Sequence, residues 1–184
     1  MRHKKIILLC FGLVVLLQLW TPASMIWNRE SVLKTGSTYK FRAAPVDPTD
    51  PFRGKYIVLS FSESSFVDTA QNDWASGDPV YVALARDAAG FAVIQSLHRQ
   101  PPRNGVDFVA TTVSYIGSDS TGSVVVEWPF NRFYMEESKA YPAEQLYVKS
   151  LADSNNVTYA LVKVKKGEAV LQNVFINNKP IATY

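Results

Sequence analysis

Two acids and a guanidinium crowd into one stiff stretch, Asp47-Pro48-Thr49-Asp50-Pro51-Phe52-Arg53-Gly54. Carboxylates three residues apart could chelate a hard cation such as Ca²⁺. Such an ion takes six or more oxygens, and only two charged donors sit here. Each proline fixes its own φ and presses the residue before it towards extended geometry. In so rigid a loop, Asp side chains are better used accepting backbone N–H bonds two residues on, while Arg53 forks onto a carboxylate. No metal and no cofactor are expected on these residues, and a ligand clamp is the remaining chemical use.

A second charged knot follows in Asn131-Arg132-Phe133-Tyr134-Met135-Glu136-Glu137. On a helical turn, Arg132 and Glu136 would stand four apart and pair. Adjacent glutamates point in different directions, which makes Glu136 and Glu137 a poor acid–base dyad. An envelope hydrolase or metal-dependent enzyme would have to gather Asp47, Asp50 and Glu137 within about 5–9 Å. His98 is the only histidine beyond the N-terminal segment, with no Gly-x-Ser-x-Gly elbow to supply a nucleophile, so a plain surface or edge histidine is expected. The chain has a single cysteine, Cys10, and no Gly-rich phosphate loop, which disfavours zinc and nucleotide chemistry. Trp128, Phe130, Phe133 and Tyr134, with Trp74, are expected in the core because each buries a large area, the alternative being an exposed groove or membrane-facing patch that docks a partner.

The elements that must position these groups are mostly strands. Thr38 to Arg42 reads as a strand with Tyr39 and Phe41 on one face, and Lys55 to Ser62 as a second with Ile57, Leu59 and Phe61 on one face and Tyr56 and Val58 on the other. Residues 79–86 and 91–98 flank the turn Asp87-Ala88-Ala89-Gly90, residues 106–116 and 123–130 flank a loop of turn formers, and residues 156–165 and 168–176 flank Lys166-Gly167. Ser64 to Gly77 reads as an irregular crossover. Only Ala143 to Ala152 has helical spacing, with Leu146, Tyr147 and Leu151 on one side. The expected fold is mainly β: an antiparallel sandwich or partly open barrel of about eight strands with one or two short helices. Lys163, Lys165 and Lys166 read as a solvated edge that discourages strand pairing.

Ahead of this domain, residues Ile6 to Trp27 carry no charge, enough to cross a hydrocarbon core of ~30 Å. Arg2, Lys4 and Lys5 flank the stretch on one side, and the next charge is Arg29. That asymmetry holds the N-terminus in the cytoplasm. Thr21-Pro22-Ala23 is a poor cleavage site, so an uncleaved anchor is expected in place of a signal peptide. The expected organisation is 1–27 as stub and anchor, 28–37 as stalk and 38–184 as an extracytoplasmic domain. All 16 acidic residues follow the anchor, balanced by the basic residues there, so the net charge of +3 belongs to the stub. A nucleic-acid binder would concentrate basic charge in its folded domain, and that class is excluded.

Gly54-Lys55-Tyr56-Ile57-Val58-Leu59-Ser60-Phe61, preceded by Pro45-Val46-Asp47-Pro48 and Asp50-Pro51-Phe52-Arg53, resembles the bacterial family called GDYXXLXY proteins. Met25-Ile26 with Arg29-Glu30, the stretch Arg132 to Glu137 and the closing hairpin are similar to that family as well. Lys55 stands where the name-giving motif has Asp, and Phe61 where it has Tyr. The resemblance implies a membrane-anchored bacterial protein whose relatives' genes lie near those of multi-spanning membrane proteins. An anchor in the bacterial inner membrane, a domain in the periplasm and a multi-spanning membrane protein as partner are the expectations built on it. The expected function is a non-enzymatic accessory or binding module. Its candidate binding residues are Asp47, Asp50, Arg53, Gly54, Tyr56, Arg132 and Glu137, and its contact with the lipid bilayer runs through Ile6–Trp27.

Overall fold

The computed structural model describes residues 2–45, 56–67, 73–103, 105–117, 122–153 and 155–183. It opens with one helix, α1 (Arg2–Thr35), in which Pro22 is accommodated. Proline removes an N–H from the helical ladder, and hydroxyls on either side of it bond carbonyls that precede it, Thr21 Oγ1 to Leu17 at 3.3 Å and Ser24 Oγ to Thr21 at 2.8 Å. The segments expected as anchor and stalk form a single helix as far as Thr35. Gly36 ends it, donating its N–H to the Val32 carbonyl at 2.8 Å. A Cβ at Gly36 would lie 2.5 Å from that carbonyl oxygen, so only glycine permits so tight an exit.

The strands that follow are β1 (Ser37–Ala44), β2 (Tyr56–Val58), β3 (Ser60–Phe61), β4 (Ser65–Val67), β5 (Pro79–Arg86), β6 (Ala92–His98), β7 (Phe108–Ile116), β8 (Ser123–Glu127) and β9 (Arg132–Tyr134). Helix α2 (Glu137–Ala152) precedes β10 (Thr158–Lys165), β11 (Glu168–Ile176), β12 (Lys179–Pro180) and a 3₁₀ turn, Ile181–Thr183. Among the described residues the strands form two five-stranded antiparallel sheets, β12-β11-β10-β1-β3 and β4-β8-β7-β5-β6, with β2 and β9 as a separate ribbon. Lys40 bridges Phe91 and Val109 bridges Gly167, so the two sheets meet at their corners and nearly close a barrel.

The hairpins form where turn residues permit them. Between β10 and β11, Lys166 and Gly167 both have positive φ, 51° and 87°, the geometry that suits a two-residue hairpin. Gly167 also accepts the Ala110 N–H at 2.8 Å, and a Cβ there would meet the Phe108 ring at 2.7 Å. The expected strand Lys55–Ser62 is divided in two at Leu59. β3 pairs with Ala43 and Ala44 of β1, whereas β2 leaves the sheet for β9. Leu59 covers the switch by donating its N–H to Asn131 at 2.8 Å. Among its described residues, the expected crossover contains one short strand, β4, paired with β8.

Inside the barrel, Phe41 is fully buried among Phe61, Trp128 and Phe130, with ring centres 5.7, 5.1 and 4.9 Å away. Trp74, Trp128 and Phe130 are core residues as expected, and Phe133 packs against them. Tyr134 is the exception at 64 % exposed.

α1 is docked on the outside of the β10–β11 hairpin. Val32 is 2 % exposed, a burial that stabilises the contact by about 1.5–3 kcal/mol. Lys165 Nζ donates to Ser31 Oγ at 2.7 Å and to Thr35 Oγ1 at 2.6 Å, and Asn28 hydrogen-bonds Glu168. Lys165 thus fastens the helix, a correction to the expected solvated edge, because β10 lies inside its sheet between β1 and β11. Lys163 bonds Thr38 Oγ1 at 2.6 Å.

Candidate functional site

The ribbon β2–β9 brings Tyr56 opposite Tyr134 and Val58 opposite Arg132. The two tyrosine rings lie 5.3 Å apart at 54°, and the Arg132 guanidinium sits 5.3 Å from the centre of the Tyr56 ring. Period-two alternation explains the arrangement. Phe133 turns towards the core, which sends Arg132 and Tyr134 to the outer face. An exposed cation such as Arg132 gains only about 0.5–1 kcal/mol over a ring, so it is oriented here without being consumed by the contact.

Arg132 and Glu136 do not pair. Arg132 belongs to a strand, whereas Glu136 precedes α2 and reaches Lys139 Nζ at 3.3 Å. Hydrogen bonds from Ser138 and Lys139 hold the Glu136 carboxyl below its usual range. Glu137 is exposed in the first turn of α2, where the helix N-terminus favours an anion. Among the described residues it has no ion pair. Of the candidate set, the structure brings Tyr56 and Arg132 into contact and puts Glu137 at the head of α2, which packs on β2. Asp47, Asp50, Arg53 and Gly54 lie outside the described residues.

A feature not foreseen from the sequence lies beside this ribbon. Arg29 of α1, Asn131, Arg132 and Tyr134 around β9, and Ala169 and Leu171 of β11 line a cleft of about 510 Å³. Among the described residues, neither Arg29 nor Arg132 forms an ion pair, and no acid lines the cleft. The sequence signal was slight: Arg29 is the first charge after the apolar run and lies three residues before Val32 on the helix.

The motif itself can now be placed. Ile57, Leu59 and Phe61 are 1, 3 and 3 % exposed, whereas Tyr56 and Val58 face outwards from the ribbon. A family model describing GDYXXLXY proteins matches residues 18–174, which takes in the end of the apolar helix, this strand pair and most of the β domain. The chain belongs to the GDYXXLXY family. No curated protein and no solved structure gives a match. In this GDYXXLXY protein the final motif position, Phe61, is buried against Phe41 and Phe130 at 5.7 and 5.3 Å, so its ring serves packing. Lys55 lies outside the described residues.

Two further clusters were missed or underestimated. Arg42 is held 2.9 Å from Asp87 and 3.7 Å from Glu63, with its guanidinium 4.0 Å over the Phe91 ring. Burial pushes the Glu63 carboxyl up, and one of its oxygens has no hydrogen-bond partner. Asp87 is held below its usual range by the Phe91 N–H and by Arg42, and it also accepts the Ala89 N–H. These residues come from β1, the end of β3 and a hairpin turn, and the result is a clasp across the barrel corner. His98 lies in a groove of about 290 Å³ with Ser96 Oγ 2.8 Å from its Nε2. Residues i and i+2 of a strand share a face, so the pair was legible in principle. Among the described residues no carboxylate bonds the imidazole, and the third member of a hydrolytic triad is not supplied there.

Proposed function

We propose that this GDYXXLXY protein is a non-enzymatic accessory module of the bacterial inner membrane. Ile6–Trp27 crosses the bilayer with the N-terminus in the cytoplasm, and the β domain binds a multi-spanning membrane protein from the periplasmic side. The observation that carries this reading is the jointless passage of α1 from its apolar run into the domain. Helix α1 is long and apolar enough to span a membrane, with Leu13, Leu16, Leu19 and Trp20 all at least 60 % exposed. Its last turns are fixed to β10 and β11 by Val32, Lys165 and Asn28. A module built in this way presents a fixed face beside the bilayer, and on that face stand the exposed Tyr134, the Tyr56 ring and Arg132. Exposed aromatic rings next to an arginine are the residue types that anchor protein interfaces.

The test is site-specific photo-crosslinking in intact cells, with the probe at Leu16 in the span and separately at Tyr134 in the domain. Both probes are expected to capture the same polypeptide, one with several membrane spans, and Tyr56→Ala is expected to reduce capture at Tyr134. Capture of no membrane protein by either probe, with the chain correctly inserted, overturns the reading.

A further inference from the structure

We infer that the cleft between α1, β9 and β11 is a binding site for the phosphate of an anionic phospholipid headgroup. The inference rests on the membrane-anchored reading above and adds a ligand to it.

Charge comes first. Arg29 and Arg132 approach one cleft from different elements, and its other walls are Asn131, Tyr134 and the β11 residues Ala169 and Leu171. Two guanidiniums in one concavity repel each other and gain from a shared anion. Each presents a planar fork that matches two phosphate oxygens. Three other described arginines have partners within the domain, whereas Arg103 stands exposed on a different groove. Arg42 has Asp87 and Glu63, Arg99 has Asp78 at 3.4 Å, and Arg86 donates to the Thr38 carbonyl at 3.0 Å. Arg29 and Arg132 have no such carboxylate or carbonyl among the described residues.

Position decides the source of the anion. Ile6 to Asn28 is uncharged, and at 1.5 Å per residue this run is about 34 Å long, close to the ~30 Å hydrocarbon core. Arg29 is the next residue, so it emerges within the headgroup layer, roughly 5–8 Å deep on each side. Trp27, 80 % exposed, lies two residues before Arg29, and Tyr134, 64 % exposed, lines the cleft with Arg29; such rings favour the interface. The α1 dock through Val32 and Lys165 holds Arg29 at a fixed place relative to Arg132, so the pair is arranged before a ligand arrives. Asn131 offers an amide to the glycerol oxygens, and Ala169, Leu171 and Phe133 give an apolar wall beside the upper acyl chain.

The experiment titrates phosphatidylglycerol and phosphatidylcholine separately into the full-length protein in neutral detergent and reads lipid retention by native mass spectrometry. One phosphatidylglycerol is expected to be retained in preference to phosphatidylcholine. Arg29→Gln and Arg132→Gln should each weaken it about tenfold, the loss of a charged hydrogen-bonding partner. Arg132→Lys should recover part of the affinity, and Lys166→Gln, an exposed cation outside the cleft, should leave it unchanged. Equal retention of the two lipids, or an equal loss from Lys166→Gln, overturns the proposal. So does full displacement by glycerol phosphate, which would make a free phosphate compound the ligand, or tighter capture of an acidic peptide. Thermal melts of each variant separate lost binding from lost folding. A chain that fails to enter micelles or bilayers defeats the anchored reading itself, whereas an inserted chain without lipid preference defeats only this inference.

Discussion

Arg42 and Arg132 each lie over an aromatic ring, one at 4.0 Å from Phe91 and the other at 5.3 Å from Tyr56, yet their surroundings differ in kind. Arg42 is shared by two carboxylates at the corner of the barrel. Arg132 stands on a two-stranded ribbon beside a cleft with no acid in its walls. The same pair of residue types therefore serves closure in one region and availability in the other. What separates them is the charge that burial leaves uncompensated: a half-buried carboxylate such as Glu63 needs a cation nearby, whereas the half-buried Tyr56 ring carries none.

If this contrast is sound, its strongest expression is in the core. Phe41→Ala should cost about 3–5 kcal/mol in denaturant unfolding, because it empties the centre of the aromatic cluster. Tyr134→Ala on the ribbon should stay within about 0.5 kcal/mol. A ribbon substitution as damaging as the core one would show that the two regions fold as one unit.

Gly167→Ala comes next, at about 2 kcal/mol. It places a Cβ in left-handed backbone and 2.7 Å from the Phe108 ring. Thermal unfolding measures it, and an unchanged midpoint would mean that the corner bridge between the sheets is dispensable.

The clasp itself should respond to pH. Arg42→Ala is expected to lose about 1–2 kcal/mol at neutral pH, leaving Glu63 buried with less compensation. Glu63 is raised in the folded state, so its buried charge is a burden at high pH that disappears as pH falls through the raised value. The deficit of Arg42→Ala should accordingly shrink on mild acidification. Asp87 acts in the opposite sense: its lowered carboxyl stabilises above the unfolded value of about 3.9 and loses that contribution as pH falls through the folded one. Unfolding midpoints across the acid range read both, and a deficit that widened on mild acidification would contradict the assignment for Glu63. Arg132→Ala should show no comparable pH dependence and a change within about 0.5 kcal/mol.

The smallest effect concerns Tyr39, whose hydroxyl donates to Asp107 Oδ2 at 3.1 Å. Burial, and then the Asp107 charge, raise this phenol to about 12. Its unfolded value is about 10, so its contribution is complete below that pH and is lost as pH rises towards 12. Phenolate absorbance should show a tyrosine that ionises late, and Asp107→Asn should bring it earlier.

The parts of the fold that were legible are those governed by local chemistry. Asp87-Ala88-Ala89-Gly90 and Lys166-Gly167 mark hairpins because their backbone geometry is written in the turn residues, and α2 shows in the spacing of Tyr147, Leu151 and their neighbours. The division of the expected strand at Leu59 was hidden, since Ile57, Leu59 and Phe61 keep an unbroken alternation through it and only pairing with β9 reveals the switch. Arg42, Glu63 and Asp87 share no motif, and their meeting is a product of barrel closure. The expected pairing of Arg132 with Glu136 fails because β9 forms where that pairing needs a helical turn.

The unbroken α1 has one more consequence under the anchored reading. A helix turns about 100° per residue, so the azimuth of every side chain in the outer half of the span is set by the orientation of the β barrel above it. Inserting one alanine between Trp27 and Asn28 would swing the barrel by that angle relative to whatever the span contacts, while seven would nearly restore it. The protein carries its own rotational phase, and a partner that grips both span and domain has to match it.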